Sequence, residues 1–372
     1  MKTMFYRKER KLIFTLLLIL CLFAMTSCSG MSVQTVDFFS MDTFVNSTVI
    51  TKKAAVGKEA NIKIAEICDE IESRISKTIE TSEIYKLNNN LMATDITKLS
   101  YYISKETSEL LETANFMKEK TNGAFNPNLG DIIDLWNVNN KDTDYSPKLP
   151  ERIDFNSALE KIYNSSYEIK QNSEGYFIES DINIKFDLGG IGKGYAIDKI
   201  SDYLVEIGIP NALVSFESSI LAAGKNRSGN LWTIGVKNPL NPDELCGWIS
   251  ATDKVISVSG GYERFITIDD IDYCHIIDPE TGYPVDNDLL CVIVVMYSQS
   301  ALQPKENSEK LKENGTISDA LSTALYVMGK EKALMFYNTS NIDFEMILFV
   351  KDDESPKGYD IISTNLIFSE ID

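Results

Sequence analysis

Histidine is almost absent: His275 is the single one in 372 residues. That excludes any metal centre built on several imidazoles. Cysteine is scarce, six in all, and no two stand as C-x-x-C, so no zinc site of the usual spacing is present. Cys21 and Cys28 fall in the first 28 residues. For Cys68, Cys246, Cys274 and Cys291 buried free thiols are expected, with one disulfide as the alternative. Basic charge is in deficit, 36 Lys and Arg against 55 Asp and Glu, a formal net charge of -19. Beyond residue 27 the balance is 31 against 54, or -23. That excludes nucleic acid as a partner. An anionic ligand must then be held by backbone amides or a metal rather than by the global field. No heptad or short-period repeat is present, and no apolar run is long enough for a comfortable membrane span.

What is there is globular material: 44% hydrophobic and 24% charged residues, enough for one large domain or two ordinary ones. The first residues are of another kind. Lys2, Arg7, Lys8, Arg10 and Lys11 form a basic region, and Leu12 to Met25 a short apolar run ending in Met25-Thr26-Ser27-Cys28-Ser29-Gly30. This resembles a bacterial lipoprotein signal, residues 1–27, cleaved before Cys28 and acylated there. Ordinary secretion is the alternative. Residues 28–36 are then expected to be a tether and 37–372 the working domain.

The chain centres on Asp187-Leu188-Gly189-Gly190-Ile191-Gly192-Lys193-Gly194-Tyr195-Ala196-Ile197-Asp198. Before it, Ile182, Ile184 and Phe186 alternate with polar residues, as in a half-buried strand. After it, Ile197, Ile200, Leu204 and Ile207 fall at helical spacing. Four glycines in a strand-to-helix turn let backbone amides approach an anion, and the helix N-terminus adds partial positive charge. A phosphate, diphosphate or metal–phosphate ligand fits; a tight turn needing left-handed residues is the plainer reading. The common phosphate loops do not match. Tyr195 stands where G-x-G-x-x-G needs its third glycine, and Gly194 follows Lys193 where a P-loop needs Ser or Thr.

Elsewhere, Phe38 to Ile50 reads as a strand and Glu59 to Ile75 as an amphipathic helix, with a second helix from Ser104 to Lys120. Gly123 to Gly130 is a structured loop, residues 137–150 an exposed excursion and Asn156 to Ile162 a short helix. Strands are expected over Tyr176 to Phe186, Ala212 to Leu221, Leu231 to Val236, Val255 to Ser259 and Leu289 to Met296. Asp269 to Asp272 is a hairpin turn and residues 300–317 a polar loop. Ser318 to Met328 is a short helix ended by Gly329, and Met346 to Val350 is the last strand. Alternation without regular βαβ units predicts an α+β fold with mostly antiparallel sheets and flanking helices.

Asp319 and Thr323 lie one helical turn apart on one face. A carboxylate and a hydroxyl, both oxygen donors, suit Mg²⁺. Alternatively, Asp319 is only the acid that complements a helix N-terminus, with Ser318 as cap. His275, ahead of the turn Asp278-Pro279-Glu280-Thr281-Gly282, is a general base, a stacking partner or a structural residue. Arg264 and Glu263 read as an ion pair.

Met41-Asp42-Thr43, Ala124 to Trp136, Asp187 to Asp198, Ser257 to Phe265, His275 to Pro284 and Asp319 to Thr323 occur in the order seen in the ApbE family of FAD:protein FMN transferases. The resemblance spans roughly residues 37–350. It implies the family's α+β, T-fold-related architecture of two related subdomains with a flavin site between them. FAD would bind extended as substrate, its diphosphate at the glycine turn and Mg²⁺ bridging phosphate oxygens. By motif position, Asp319, Thr323 and the Gly190 carbonyl are implied metal ligands, and Met41, Ala124, Phe125, Asn126, Asp187, Lys193 and Ile277 implied flavin contacts. FMN would pass from FAD to a Thr or Ser hydroxyl of an acceptor protein, releasing AMP. His275 is the first candidate for the base and Asp187 the second. The acceptor would be a subunit of a membrane redox complex or another extracytoplasmic protein, and the chain would be lipid-anchored on the outer face of the cell membrane. An FAD pyrophosphatase giving FMN and AMP, or a flavin-binding lipoprotein without turnover, are the alternatives; a sugar- or peptide-binding lipoprotein is more distant. Thr78 stands where the family often has an aromatic, Ser322 where it often has a carboxylate and Glu217-Ser218-Ser219 where many members have Gly-Gly. The segment Lys305 to Thr316 is longer than usual.

Overall fold

The computed structural model describes residues 30–372 apart from 91–98, 139, 141–144, 165, 181, 299–312, 367 and 372. The expected signal segment and Cys28, most of the polar loop expected at 300–317 and part of the 137–150 excursion lie outside the described residues.

Two strands, β1 (Ser32–Ser40) and β2 (Thr43–Thr51), open the fold as an antiparallel hairpin. This corrects two expectations. The segment 28–36 does not stay a tether, because β1 begins at Ser32 and is paired along its length. The single strand expected over Phe38 to Ile50 is broken at Met41 and Asp42, whose φ of 55° and 60° form the left-handed pair of a tight hairpin turn. Helix α1 (Ala54–Ile75) follows and buries Ile64, Cys68 and Ile71 against the sheet. A short α2 (Glu83–Asn88) follows, and Ser82 caps it by accepting from the Tyr85 amide. Strand β3 (Leu99–Ile103) and helix α3 (Lys105–Lys120) come next, α3 capped by Ser104.

Helices α4 (Gly130–Trp136) and α5 (Arg152–Asn164) pack together over a small separate core around Ile132, Trp136 and Phe155. Strands β4 (Tyr167–Asn172) and β5 (Gly175–Ser180) complete a three-stranded sheet with β3. The strand expected to continue to Phe186 stops at Ser180. Of the alternating Ile182, Ile184 and Phe186, the last two are buried and Ile182 half-buried, but the neighbours of this run are not strands. The Asp187 amide donates to the Pro127 carbonyl, Gly130 to Lys185, and Asn88 bonds both backbone groups of Phe186.

Helix α6 (Gly192–Glu206) leads to the hairpin β6 (Asn211–Ser215) and β7 (Ser219–Ala223). Strands β8 (Trp232–Asn238), β9 (Asn241–Ala251) and β10 (Lys254–Gly260) follow, then the small hairpin β11 (Phe265–Ile268) and β12 (Ile271–Cys274), turned at Asp269 and Asp270 as expected. After β13 (Leu289–Tyr297) comes α7 (Asn314–Thr339), then β14 (Glu345–Lys351), β15 (Tyr359–Ser363) and β16 (Phe368–Glu370). Met346 to Val350 is therefore not the last strand. Gly329, with φ of 73°, does end a helical segment, but a second one follows it at once.

The main sheet has the order β1-β2-β6-β7-β10-β13-β14-β15, with every neighbouring pair antiparallel. One face carries α1, α6 and α7 over the larger core; the other lies under β8, β9 and β16. Strand β10 is covered on both faces. Val255 faces the helices, Ile256 the small sheet, and Ser257 and Ser259 reach the helix side. The four cysteines after Cys28 are free thiols.

Candidate active site

The glycine turn is built to bring α6 and α7 close. A Cβ on Gly194 would lie 2.1 Å from the Gly315 carbonyl oxygen, so only glycine fits this contact. The Gly194 amide donates to Asp319 Oδ2 at 2.9 Å. Asp198, one turn further along α6, accepts from the Gly315 amide at 2.8 Å and from the amide and hydroxyl of Thr316 at 2.7 Å each. It is therefore the acid at the N-terminus of α7. Burial pushes its carboxyl up to about 7 against those hydrogen bonds. The helix starts at Asn314, not Ser318, so Asp319 sits inside it and does not serve as its terminal charge.

Asp319 is buried, and its Oδ1 also accepts from Ser219 Oγ at 3.1 Å. Thr323 Oγ1 lies 3.4 Å from both the Asp319 carbonyl and Ser259 Oγ. Gly190 abuts the same hydroxyl: a Cβ there would be 3.1 Å from Thr323 Oγ1. Ser322 donates to the Asp319 carbonyl and touches Ser259, so its hydroxyl is used within the fold. Asp319 and Thr323 thus offer only oxygen donors, with the Gly190 backbone beside the Thr323 hydroxyl. Two of the carboxylate's four or so lone-pair positions are taken by hydrogen bonds. Such a set fits a hard cation that completes its shell with water and phosphate oxygens. No group of three or more His, Cys, Asp or Glu that could hold a metal ion occurs among the described residues.

Asp187 Oδ1 accepts from the Gly189 amide at 2.9 Å, and its Oδ2 pairs with Lys77 at 3.0 Å. Burial acts to raise this carboxyl, but Lys77, the Gly189 amide and the nearby His275 outweigh it and hold Asp187 below the usual range. Lys77 also pairs with Asp134 at 3.2 Å, tying α4 to the glycine turn. Lys193 reaches the Gly189 carbonyl at 3.4 Å. His275 Nδ1 lies 3.1 Å from the Arg264 carbonyl. A carbonyl only accepts, so Nδ1 carries the proton and Nε2 keeps its lone pair. Burial lowers this imidazole to about 4, which leaves it neutral at physiological pH. Arg264 pairs with Asp42 of the β1–β2 turn at 3.0 Å and also acts electrostatically on Glu263.

One cleft of about 860 Å³ is lined by Met41, Ala124, Phe125, Asn126, Asp187, Gly190, Lys193, His275, Ile277, Asp319 and Thr323. These are all the candidate residues named from the sequence except Cys28. Lys77, Thr78, Glu217 and Glu263 line it as well. Glu217 sits at φ of 61° and accepts from Thr43 Oγ1 at 3.2 Å, holding the left-handed backbone a glycine would adopt freely. Sequence reasoning missed Lys77 and Asp198. Nothing local marks Lys77, whereas Asp198 closed the glycine motif and gave a signal that could have been followed.

An antiparallel sheet flanked by helices, a glycine turn at a helix start, oxygen-bearing side chains and a neutral imidazole meet at one cleft, and the fold is a mixed α+β one. The ApbE family model matches residues 41–348, and the chain belongs to that family. Among curated proteins it is similar to the FAD:protein FMN transferase of Vibrio cholerae serotype O1, 26% identical over 307 residues, 82% of this chain and 83% of the relative. It is also similar to that of Escherichia coli K12, 26% identical over 272 residues, 72% and 73% of the two chains. Among solved structures, the flavin transferase ApbE from Vibrio cholerae matches with a TM-score of 0.72 at 24% identity, over 90% of this chain and 98% of the other. The apbe protein from Thermotoga maritima matches with a TM-score of 0.73 at 25% identity, over 90% and 97%. The expected mixed α+β fold with antiparallel sheets is the fold observed.

Proposed function

We propose that the cleft transfers FMN from FAD to a Thr or Ser hydroxyl of an acceptor protein, with Mg²⁺ and with release of AMP. The transferase class follows from the curated relatives that share most of the chain. The observation that carries the finer reading is the convergence on one cleft of an oxygen-donor set, the glycine turn and a neutral His275. Asp319, Thr323 and the Gly190 carbonyl would hold Mg²⁺, which neutralises charge on the diphosphate when bound. Met41, Ala124, Phe125, Asn126 and Ile277 would seat the flavin, and Asp187 and Lys193 its polar edge and phosphates.

His275 Nε2 takes the proton of the acceptor hydroxyl. The hydroxyl oxygen bonds to the FMN phosphorus, and the bond from that phosphorus to the bridging anhydride oxygen breaks. AMP departs with the bridging oxygen and its electron pair. Asp187 lies close enough to influence His275 electrostatically and favours the imidazolium that results.

The N-terminal signal supports lipid attachment at Cys28 and a place on the extracytoplasmic face of the cell membrane. The acceptor is then a subunit of a membrane redox complex or another extracytoplasmic protein. AMP release tests the reaction. With FAD, Mg²⁺ and an acceptor bearing a D-G-x-[ST]-G-A-type segment, AMP should form and should depend on both the metal and the acceptor. AMP formed equally without acceptor favours a pyrophosphatase, and FAD bound but never cleaved contradicts catalysis.

A further inference from the structure

Three cross-strand pairs stand in line on the solvent face of the β1–β2 hairpin. Two are polar: Thr35 and Thr48 hydroxyls lie 2.9 Å apart, and Asn46 donates to Asp37 at 2.7 Å. The third, beside the turn, is Phe39 with Phe44, edge to face at 5.4 Å. These rings remain 57% and 67% exposed. A polar pair would serve the strands as well, so the hairpin itself does not call for two rings in water.

The pair is continuous with the cleft. Phe39 lines it, while Phe44 stands off its wall. Arg264 holds the hairpin turn there, donating to Asp42 Oδ2 at 3.0 Å and to the Asp42 carbonyl at 3.1 Å. The carbonyl of the same Arg264 fixes the ring of His275. Aromatic pair, hairpin turn and imidazole therefore form one connected rim.

We propose that Phe39 and Phe44 are the docking point for the acceptor protein, taking an apolar side chain next to the hydroxyl that receives FMN. This rests on the transferase reading above, because only a reaction with a protein as second substrate needs a protein at the cleft mouth. A membrane surface is the rival occupant for exposed aromatics. The hairpin argues against it. The chain enters β1 at Ser32, at the open end of the hairpin. At about 3.3 Å per residue that end is roughly 23 Å from the aromatic tip. A lipid at Cys28 draws the open end, not the tip, toward the bilayer.

The test uses the full-length chain in detergent and the variant Phe44→Thr, which keeps β propensity and leaves the cleft wall intact. FAD affinity, read by flavin fluorescence, should stay within about twofold of the parent. The KM for acceptor should rise about tenfold, with kcat at saturating acceptor little changed. Phe44→Leu should restore most of the loss. An unchanged acceptor KM in Phe44→Thr overturns the proposal. So does an unchanged KM accompanied by weaker flotation with phosphatidylglycerol vesicles, which assigns the rings to the membrane. A parent chain that transfers no FMN overturns the transferase reading, and the docking proposal with it, before any variant is made.

Discussion

Replacing Gly194 by alanine tests whether the site depends on the close approach of α6 and α7. The added Cβ would lie 2.1 Å from the Gly315 carbonyl oxygen and 2.7 Å from Asp319 Cβ. An ordinary carbon–oxygen contact is about 3.3 Å, so the helices must part by about 1 Å. The hydrogen bond from the Gly194 amide to Asp319, 2.9 Å in the structure, then opens beyond bonding distance. Overpacking costs about 1–3 kcal/mol and loss of a bond to a charged acceptor about 1.5–3 kcal/mol. Together the two suggest about 2.5–6 kcal/mol. Gly208→Ala is the control. Its φ is 70° and no atom lies within 4 Å of the new Cβ, so it carries only the left-handed backbone penalty of about 1–2 kcal/mol. Urea denaturation of both variants gives the comparison, with FAD turnover measured alongside. Gly194→Ala should be the less stable and should lose turnover, because Asp319 moves with α7. A Gly194→Ala protein as stable as Gly208→Ala, with parental turnover, would refute the steric reasoning.

Asp319→Ala should abolish Mg²⁺-dependent FAD cleavage while the far-UV circular dichroism stays that of the parent; full metal-dependent activity would remove Asp319 from the donor set. His275→Ala should lower kcat much more than FAD affinity, as separate turnover and binding titrations would show. The His275 imidazole is lowered to about 4, below its ordinary value near 6.5. The unfolded chain then binds a proton that the folded chain refuses, so stability falls as pH drops from about 6.5 toward 4. Denaturant midpoints across that range should fall less steeply in His275→Gln. Lys77→Met should free Asp187 from its cation and weaken FAD binding, with Lys77→Arg restoring most of it. Equal FAD affinity in all three proteins would dismiss the role of Lys77 in holding Asp187.

Much of the site was legible because its residues sit in short motifs with their own physical signature. Glycine clustering marked the turn, helical spacing joined Asp319 to Thr323, and a lone histidine stood before a turn-rich segment. Long-range partners were not legible. Lys77 gains its meaning from Asp187 and Asp134, far along the chain, and no local pattern announces that. In the fold, the amphipathic period of α1 and the Asp269–Asp270 turn were plain. The β1–β2 turn was hidden because Met41 and Asp42 take positive φ without a glycine. Strand β9 was hidden because its first half is exposed and lacks alternation. The run at 182–186 has the pattern of a strand because burial alternates, yet loop and helix groups satisfy its backbone in place of a sheet. Periodicity reports which side chains are buried, not what buries them.

The most direct measurement is the intact mass of an acceptor protein after incubation with the full-length chain, FAD and Mg²⁺. The account predicts a gain of one FMN on the acceptor, matched by AMP, and no gain when the acceptor's target Thr or Ser is replaced by Ala. An acceptor that keeps its mass while free FMN and AMP accumulate would contradict the account and make the protein an FAD pyrophosphatase.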